Sequence, residues 1–435
     1  MSYLIINGGR KLHGSIGTPT SKNAVEAILY ACLMVRGKVK LTDVPDIETV
    51  NQVLTLLTSL GVKIKKSGVG GLIVDSSGEI KVSRIDRGAA QSLRTSLLLM
   101  GALSNRPGSY KLWRSGGCHL GERTVRPHIF ALEKLGVHAT TREGFYLVKN
   151  DARRRGRPIV MYESGDTTTE NAIMAAALAE GTTTITMASA NYQVQDLCYF
   201  LLKAGAKISG IGTTTLTITG VKKLRAVDEY PIMPDPIVAM TFLSAGITTR
   251  STLTVRNCPL QFLELELCKL EVMGQKFVLS NRRKSKNGWF DIVDIKVFPS
   301  ALKALPDKIY GRPFPGLNID NLPLFIPILT QANGRTLVHD WAYENRAVYA
   351  LELQKLGAQI TLLDPHRLWV EGGTSLTPNE IICPPALRPA ANILICMLAA
   401  KGKSILRNNE VINRGYHNLY QALNKAGADI TVHKE

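Results

Sequence analysis

The sequence predicts an α/β protein of two lobes, each made from three copies of one folding unit. Three observations lead there. Six stretches end a helical pattern in the same way, with a leucine-rich turn, a glycine and a short apolar segment. Their glycines fall at 61, 136, 205, 274, 357 and 427, at intervals of 75, 69, 69, 83 and 70. Spacing this regular marks one unit used six times. A hydrophobic content of 45% over 435 residues supports two buried cores rather than one. Finally, the alanine-rich runs at 172–179 and 390–400 lack a polar face, and a helix apolar all round belongs in a core.

Each unit reads as strand, helix, strand, helix and a strand pair. In the first, Ser21 stands at a cap position before a helical stretch over about 22–35, which Gly37 is expected to end, and Val39, Lys40 and Leu41 form a strand. A second helix over about 48–60 carries Val50, Val53, Leu54, Leu57 and Leu60 at helical spacing. Gly61 closes it as a left-handed cap, and a strand follows at Val62, Lys63 and Ile64. Related wording recurs at 177–183 and 398–404. The expected lobes are 22–232, with three units, and 1–21 plus 233–435, with the other three. The chain then crosses near 21 and near 232, and the cleft between lobes is the expected binding site.

Composition narrows the function. No apolar run reaches the roughly 18 to 20 residues of a membrane span, and the N-terminus lacks the basic, long-apolar pattern of a secretion signal. Seven cysteines without a CxxC pair argue against a disulfide framework and a zinc site, so a cytoplasmic location is expected. The formal charge of +18 includes two clusters, Arg153, Arg154, Arg155 and Arg157, then Arg282, Arg283, Lys284 and Lys286. Each flanks glycine, proline or asparagine and reads as a solvated hairpin loop. No interleaved aromatics or helix-turn-helix pattern supports nucleic-acid binding. The eight histidines are scattered without ligand spacing, so no metal is expected. A surplus of cations suits anionic, phosphorylated substrates.

Residues with chemistry in reach are few. Cys118 lies in Ser115-Gly116-Gly117-Cys118-His119-Leu120-Gly121-Glu122-Arg123, a glycine-rich loop able to deliver a thiol beside cations. The other six cysteines sit in apolar or helical surroundings and read as packing. Lys22 starts a helix after Thr18-Pro19-Thr20-Ser21, where free amide donors gather. Arg94 opens an apolar helix, and Arg346, Arg388 and Arg414 stand at corresponding unit edges. Together such cations form a ring for a phosphate and a carboxylate, which guanidinium forks pair bidentately. Asp320, in a loop too apolar for a simple solvated turn, reads either as a general base or as a helix cap, and Asp235 carries the same ambiguity.

Four segments carry a resemblance to a known family. Ser21-Lys22-Asn23-Ala24, the Gly116-Gly117-Cys118 loop through Gly121 and Arg123, Glu344-Asn345-Arg346 and Arg414-Gly415-Tyr416 resemble the enolpyruvyl transferases. The cysteine loop resembles the cell-wall branch, whose acceptor is UDP-N-acetylglucosamine. The resemblance runs in order over essentially the whole chain. It implies two inside-out α/β barrels of three units each. It also implies a reaction in which an acceptor hydroxyl adds to C2 of phosphoenolpyruvate and phosphate is then expelled, with no organic cofactor. By the same resemblance Lys22, Arg123 and Arg414 hold the phosphoenolpyruvate, with Arg94, Arg346 and Arg388 around them. Asp320 takes the hydroxyl proton, and Asn23 touches the sugar. Cys118 protonates C3, forms an adduct or assists release, and is the implied fosfomycin target.

Departures from the family pattern gather on the acceptor side. Thr124-Val125-Arg126-Pro127-His128 stands for Pro-Val-Asp-Leu-His, so a cation, Arg126, replaces an acid. Asn191-Tyr192-Gln193 replaces Glu-Pro-Glu, Leu98 an aromatic, and Ala386 an aspartate. Thr49 and Asn51 replace residues that are usually acidic. The phosphoenolpyruvate half is nearly intact. The alternatives to UDP-N-acetylglucosamine are another acceptor such as UMP or a ligand-binding role without turnover.

Overall fold

A computed structural model describes residues 2–115 and 124–434. They divide into two compact units, one of residues 20–115 and 124–233, the other of 2–19 and 234–434.

The first unit carries three sheets. One runs in the order Leu224–Pro231, Val35–Thr42, Leu72–Asp75, Lys63–Lys66 and a second in the order Lys207–Ser209, Thr215–Thr219, Thr182–Thr186, Ile159–Val160. The third, among the described residues, has Gly108–Trp113, Phe145–Asn150 and Val137–Arg142. The second unit has three four-stranded sheets, ordered Glu380–Ile382, Gly402–Arg407, Ser2–Gly8, Ile430–Lys434, then Phe277–Lys284, Asp291–Val297, Leu253–Pro259, Ser15–Gly17, and Ile309–Tyr310, Arg335–His339, Arg367–Glu371, Gln359–Asp364. All five four-stranded sheets share one pattern, a parallel pair at one edge followed by two antiparallel pairings. None of the six sheets closes on itself.

Helices form the core. In Lys22–Ala31 every residue from Ala24 to Ala31 is buried, and the helix packs on Glu48–Ser59 and Tyr192–Lys203. Asp166–Ala177 is buried from Thr168 onward. In the other unit Pro236–Thr248 is buried at every position and packs on Leu387–Ala399 and Phe325–Thr330. Each buried aliphatic side chain there contributes roughly 1.5 to 3 kcal/mol. Two of the hydroxyls that accompany them are bonded: Thr241 donates to the Ile237 carbonyl and Ser244 to the Leu324 carbonyl, at 2.9 and 2.7 Å. No helix among the described residues is long and apolar enough to cross a membrane.

All six repeat glycines have positive φ, from 74° at Gly136 to 97° at Gly205 and Gly427. The shared punctuation therefore has one cause, a left-handed residue that ends a helix and turns the chain into a strand. Local expectations needed correction in three places. The first helix ends at Ala31 in a 3₁₀ turn, Cys32–Met34, and the strand already begins at Val35, so Gly37 lies inside a strand. A Cβ there would stand 3.0 Å from that of Ala226 on the neighbouring strand, and this close approach accounts for the glycine. The helical turn before Gly357 is a 3₁₀ helix, Ala347–Leu356. The cluster at Arg153 is solvated at Arg153, Arg155 and Arg157, but it links two different sheets rather than forming a hairpin. Arg154 is buried and donates to the carbonyls of Ala175 and Leu178, satisfying the C-terminal end of the Asp166–Ala177 helix. The Arg282 cluster does lie on a hairpin, where Arg282 and Lys284 both pair with Asp291.

Candidate active site

The N-terminal end of Lys22–Ala31 positions the first group. Ser21 caps the helix by accepting from the Ala24 amide at 3.2 Å, which turns Lys22 and Asn23 out on its first turn. The Lys22 ammonium lies 3.1 Å from Glu26, one turn on and buried, and 3.4 Å from Asn23 Oδ1. Asn23 Nδ2 in turn donates to the Tyr192 hydroxyl at 2.9 Å. Arg94 opens the 3₁₀ helix Arg94–Leu98, which packs on the Lys22 helix, and its guanidinium reaches the Thr124 carbonyl at 3.4 Å.

Acidic residues surround this group although the Glu-Pro-Glu acids are gone. Asn191 caps the Tyr192–Lys203 helix and donates to Asp166 at 2.9 Å, and Gln193 donates to Glu170 at 3.0 Å. Both amides are thus held by carboxylates of the Asp166–Ala177 helix. Burial, followed by the nearby Asp166 charge, pushes Glu170 up to about 8. Arg126 is exposed at the start of Arg126–Glu133, while Leu98 is buried. His128, two residues on, accepts from Asn171 at 2.9 Å, and burial, aided by Arg94, pushes it down to about 3, so it is a neutral core histidine.

The other unit holds the second group. Arg346 is buried, with a side chain only 2% exposed. Its Nε and Nη2 donate to the two oxygens of Asp340 at 2.7 and 2.8 Å, its Nη1 to Asp320 at 2.9 Å and its Nη2 to the Ile319 carbonyl at 2.5 Å. The Tyr343 ring lies 4.2 Å from the guanidinium carbon, and its hydroxyl is 3.5 Å from Asp320. Burial opposes the Arg346 charge, but the Asp340 hydrogen bonds and both carboxylates outweigh it and raise its pKa above the ordinary value. Arg346 works on the protein itself: it holds the partly exposed Asp320 in place. Asp320 caps no helix, since the following 3₁₀ turn Leu322–Leu324 has Asn321 at its cap position. Asp235 is a cap, accepting from the Ile237 and Val238 amides.

Arg388 stands at the second position of Leu387–Ala399 and donates to the Tyr416 hydroxyl at 2.8 Å, which also bonds Thr241. Arg414 follows the short helix Glu410–Asn413 and is exposed, two residues from Tyr416. Cys118 and Arg123 lie outside the described residues. Of the remaining cysteines five are buried, but Cys268 is exposed on Glu264–Val272, which corrects its assignment to packing.

Sequence reasoning missed Glu26, Glu170 and Asp340. Glu26 carried a signal, four residues after Lys22 on a helix. Asp340 carried none, because it follows the strand Arg335–His339 in irregular chain and reaches Arg346 only through the fold.

Comparison with known proteins places this arrangement. The family model described as EPSP synthase (3-phosphoshikimate 1-carboxyvinyltransferase) matches residues 6–423. UDP-N-acetylglucosamine 1-carboxyvinyltransferase 2 of Caldanaerobacter subterraneus is 34% identical over 430 residues, covering 99% of both chains. A UDP-N-acetylglucosamine 1-carboxyvinyltransferase of Bacteroides fragilis is 32% identical over 444 residues, covering 99% of this chain and all of that one. Among solved structures, the enolpyruvyl transferase NikO from Streptomyces tendae aligns with a TM-score of 0.85 at 23% identity, over 100% of this chain and 99% of the other. EPSP synthase from Acinetobacter baumannii aligns with a TM-score of 0.80 at 19% identity, over the full length of both. The fold is theirs, and with sequence identity above 30% along its whole length the chain belongs to the EPSP synthase family of enolpyruvyl transferases and is an enzyme of that class.

Proposed function

We propose that this enzyme transfers the enolpyruvyl group of phosphoenolpyruvate to a hydroxyl of UDP-N-acetylglucosamine, releasing phosphate in the synthesis of a peptidoglycan precursor. The observation that carries the chemistry is Asp320, a partly exposed carboxylate locked by a buried arginine. Full-length relatives named for this acceptor support the substrate. Asp320 takes the acceptor hydroxyl's proton as its oxygen bonds to C2, and Cys118 supplies a proton to C3. Loss of a C3 proton then re-forms the double bond as the C2–O bond to phosphate breaks. Lys22, Arg123 and Arg414 carry the phosphoenolpyruvate charges, with Arg94 and Arg388 behind them, and fixed cations of this kind stabilise charge that develops in the transition state. Asn23 meets the acceptor sugar. Arg346 positions Asp320.

Helices packed inside open sheets are read as the inside-out barrels that the family implies, with lobes of 22–232 and of 1–21 plus 233–435. Phosphoenolpyruvate and a nucleotide sugar as substrates favour work in the cytoplasm. A second reading, transfer to another acceptor such as UMP, is favoured by the exposed Arg126 and by Asn191 and Gln193 being tied to Asp166 and Glu170. The test is phosphate release from phosphoenolpyruvate with UDP-N-acetylglucosamine, UMP or shikimate 3-phosphate, alongside Cys118→Ala and Asp320→Ala. Release with UDP-N-acetylglucosamine, lost in Asp320→Ala, is the expected result. Release only with UMP selects the second reading, and release with none overturns both.

A further inference from the structure

The contact between Tyr192 and Asn23 has a consequence for recognition. Tyr192 is fully buried at the first position of Tyr192–Lys203, and Asn23 sits at the second position of Lys22–Ala31, half-buried. The two helices pack together, so this meeting is fixed by the core rather than by loops. An ammonium only donates, so the Asn23 atom facing Lys22 at 3.4 Å must be the carboxamide oxygen. Nδ2 then faces the phenol, to which it donates one hydrogen at 2.9 Å. With both ends engaged, the carboxamide cannot turn over to offer its oxygen elsewhere. Nδ2 retains its second N–H for a ligand, while Oδ1 keeps one lone pair beside the Lys22 ammonium.

We propose that Tyr192 is a specificity-determining residue, which holds Asn23 so that it presents a hydrogen-bond donor to the acceptor substrate. The group it selects is an oxygen with a free lone pair, such as a carbonyl, ether or phosphate oxygen. A group that can only donate leaves that N–H unpaired and is bound more weakly. The inference rests on the proposed role of Asn23 in meeting the acceptor.

The test uses Tyr192→Phe, which keeps the buried ring and removes only the hydroxyl, Asn23→Ala, and the double variant. Kinetic constants are measured by phosphate release with phosphoenolpyruvate and UDP-N-acetylglucosamine. Tyr192→Phe is expected to raise KM for the nucleotide sugar about fivefold, the effect of one net hydrogen bond, with KM for phosphoenolpyruvate within twofold of wild type. In the Asn23→Ala background the same change is expected to do nothing, since the hydroxyl acts only through Asn23. Equal changes in both KM values, no change in either, or a full effect in the Asn23→Ala background would each overturn the inference. If the wild-type enzyme releases no phosphate with any acceptor, the proposed function falls. The inference is then read by equilibrium binding of UDP-N-acetylglucosamine to the same four proteins. A fivefold weaker affinity confined to the Asn23-containing pair supports it, and equal affinities or no binding overturn it.

Discussion

Removing Asp340 should damage stability far more than removing Asp320, while removing Asp320 should damage turnover far more. The asymmetry follows from burial. Arg346 is 2% exposed, and Asp340, at 6%, meets it with two hydrogen bonds of 2.7 and 2.8 Å, whereas Asp320 is 26% exposed and accepts one bond from it. Breaking a buried pair leaves an uncompensated charge and costs about 3 to 5 kcal/mol. Asp320 remains to share the guanidinium's charge, so Asp340→Ala is expected near the lower end, about 3 kcal/mol. For a unit of this size that lowers the melting temperature by about 6 to 12 °C. Asp320→Ala loses a more solvated partner, costs at most about 1 kcal/mol, and yet removes the proposed general base, so kcat is expected to fall roughly 100-fold or more. Scanning calorimetry and phosphate release on the two variants read both quantities. A stability loss under 1 kcal/mol in Asp340→Ala, or a larger loss in Asp320→Ala, would refute the reasoning.

Further outcomes follow from other sites. His128 is held near a pKa of about 3 by burial and Arg94, so below about pH 6.5 the unfolded chain binds a proton that the folded one does not. Its stability contribution therefore falls as pH drops from about 6.5 towards 3, by up to about 1.4 kcal/mol per unit, and urea midpoints of His128→Gln should show a shallower acid slope than wild type. Ala386 stands at the N-cap of Leu387–Ala399 without a side-chain bond, so Ala386→Asp should stabilise by about 1 kcal/mol, read from the urea midpoint. In a Cys118→Ala background a thiol reagent should modify Cys268 rapidly under native conditions. Cys32, Cys198, Cys258, Cys383 and Cys396 should wait for unfolding, since all are buried.

What the sequence revealed was whatever depends on backbone periodicity. The repeat glycines announced helix ends because only a left-handed residue makes that turn cheaply, and Ser21 announced a cap that the Ala24 amide fills. Lys22 and Asp320 stood out as candidates through local context, since a helix start or an apolar loop holding a charge is visible in one dimension, and Asn23 through the family resemblance. Arg346 stood out as a candidate too, but its pairing with Asp340 did not, because Asp340 joins it only in three dimensions. Arg154 shows the same limit in reverse. Its neighbours suggest solvent, yet the carbonyls it satisfies lie more than twenty residues away. Likewise the replacement of Glu-Pro-Glu by Asn191-Tyr192-Gln193 gave no sign of Asp166 and Glu170, which hold the new amides from another helix.

The sheet around Ser2–Gly8 sets an order of assembly. That strand pairs with Gly402–Arg407 on one side and Ile430–Lys434 on the other, with Ser2 opposite Lys434 and Gly8 opposite Gly402. A ribosome therefore releases an interior strand of this sheet some four hundred residues before either neighbour exists. The unit of residues 20–233 has all of its own strands long before then. During synthesis the unit completed first is thus the one of residues 20–233, while the strand made before it stays unpaired with both edges open, the kind of segment that recruits foreign strands. Chaperone dependence during translation should accordingly map to residues 2–8, and a polar substitution at the core-facing Leu4 or Ile6 should reduce the yield of the late-forming unit while leaving the other intact.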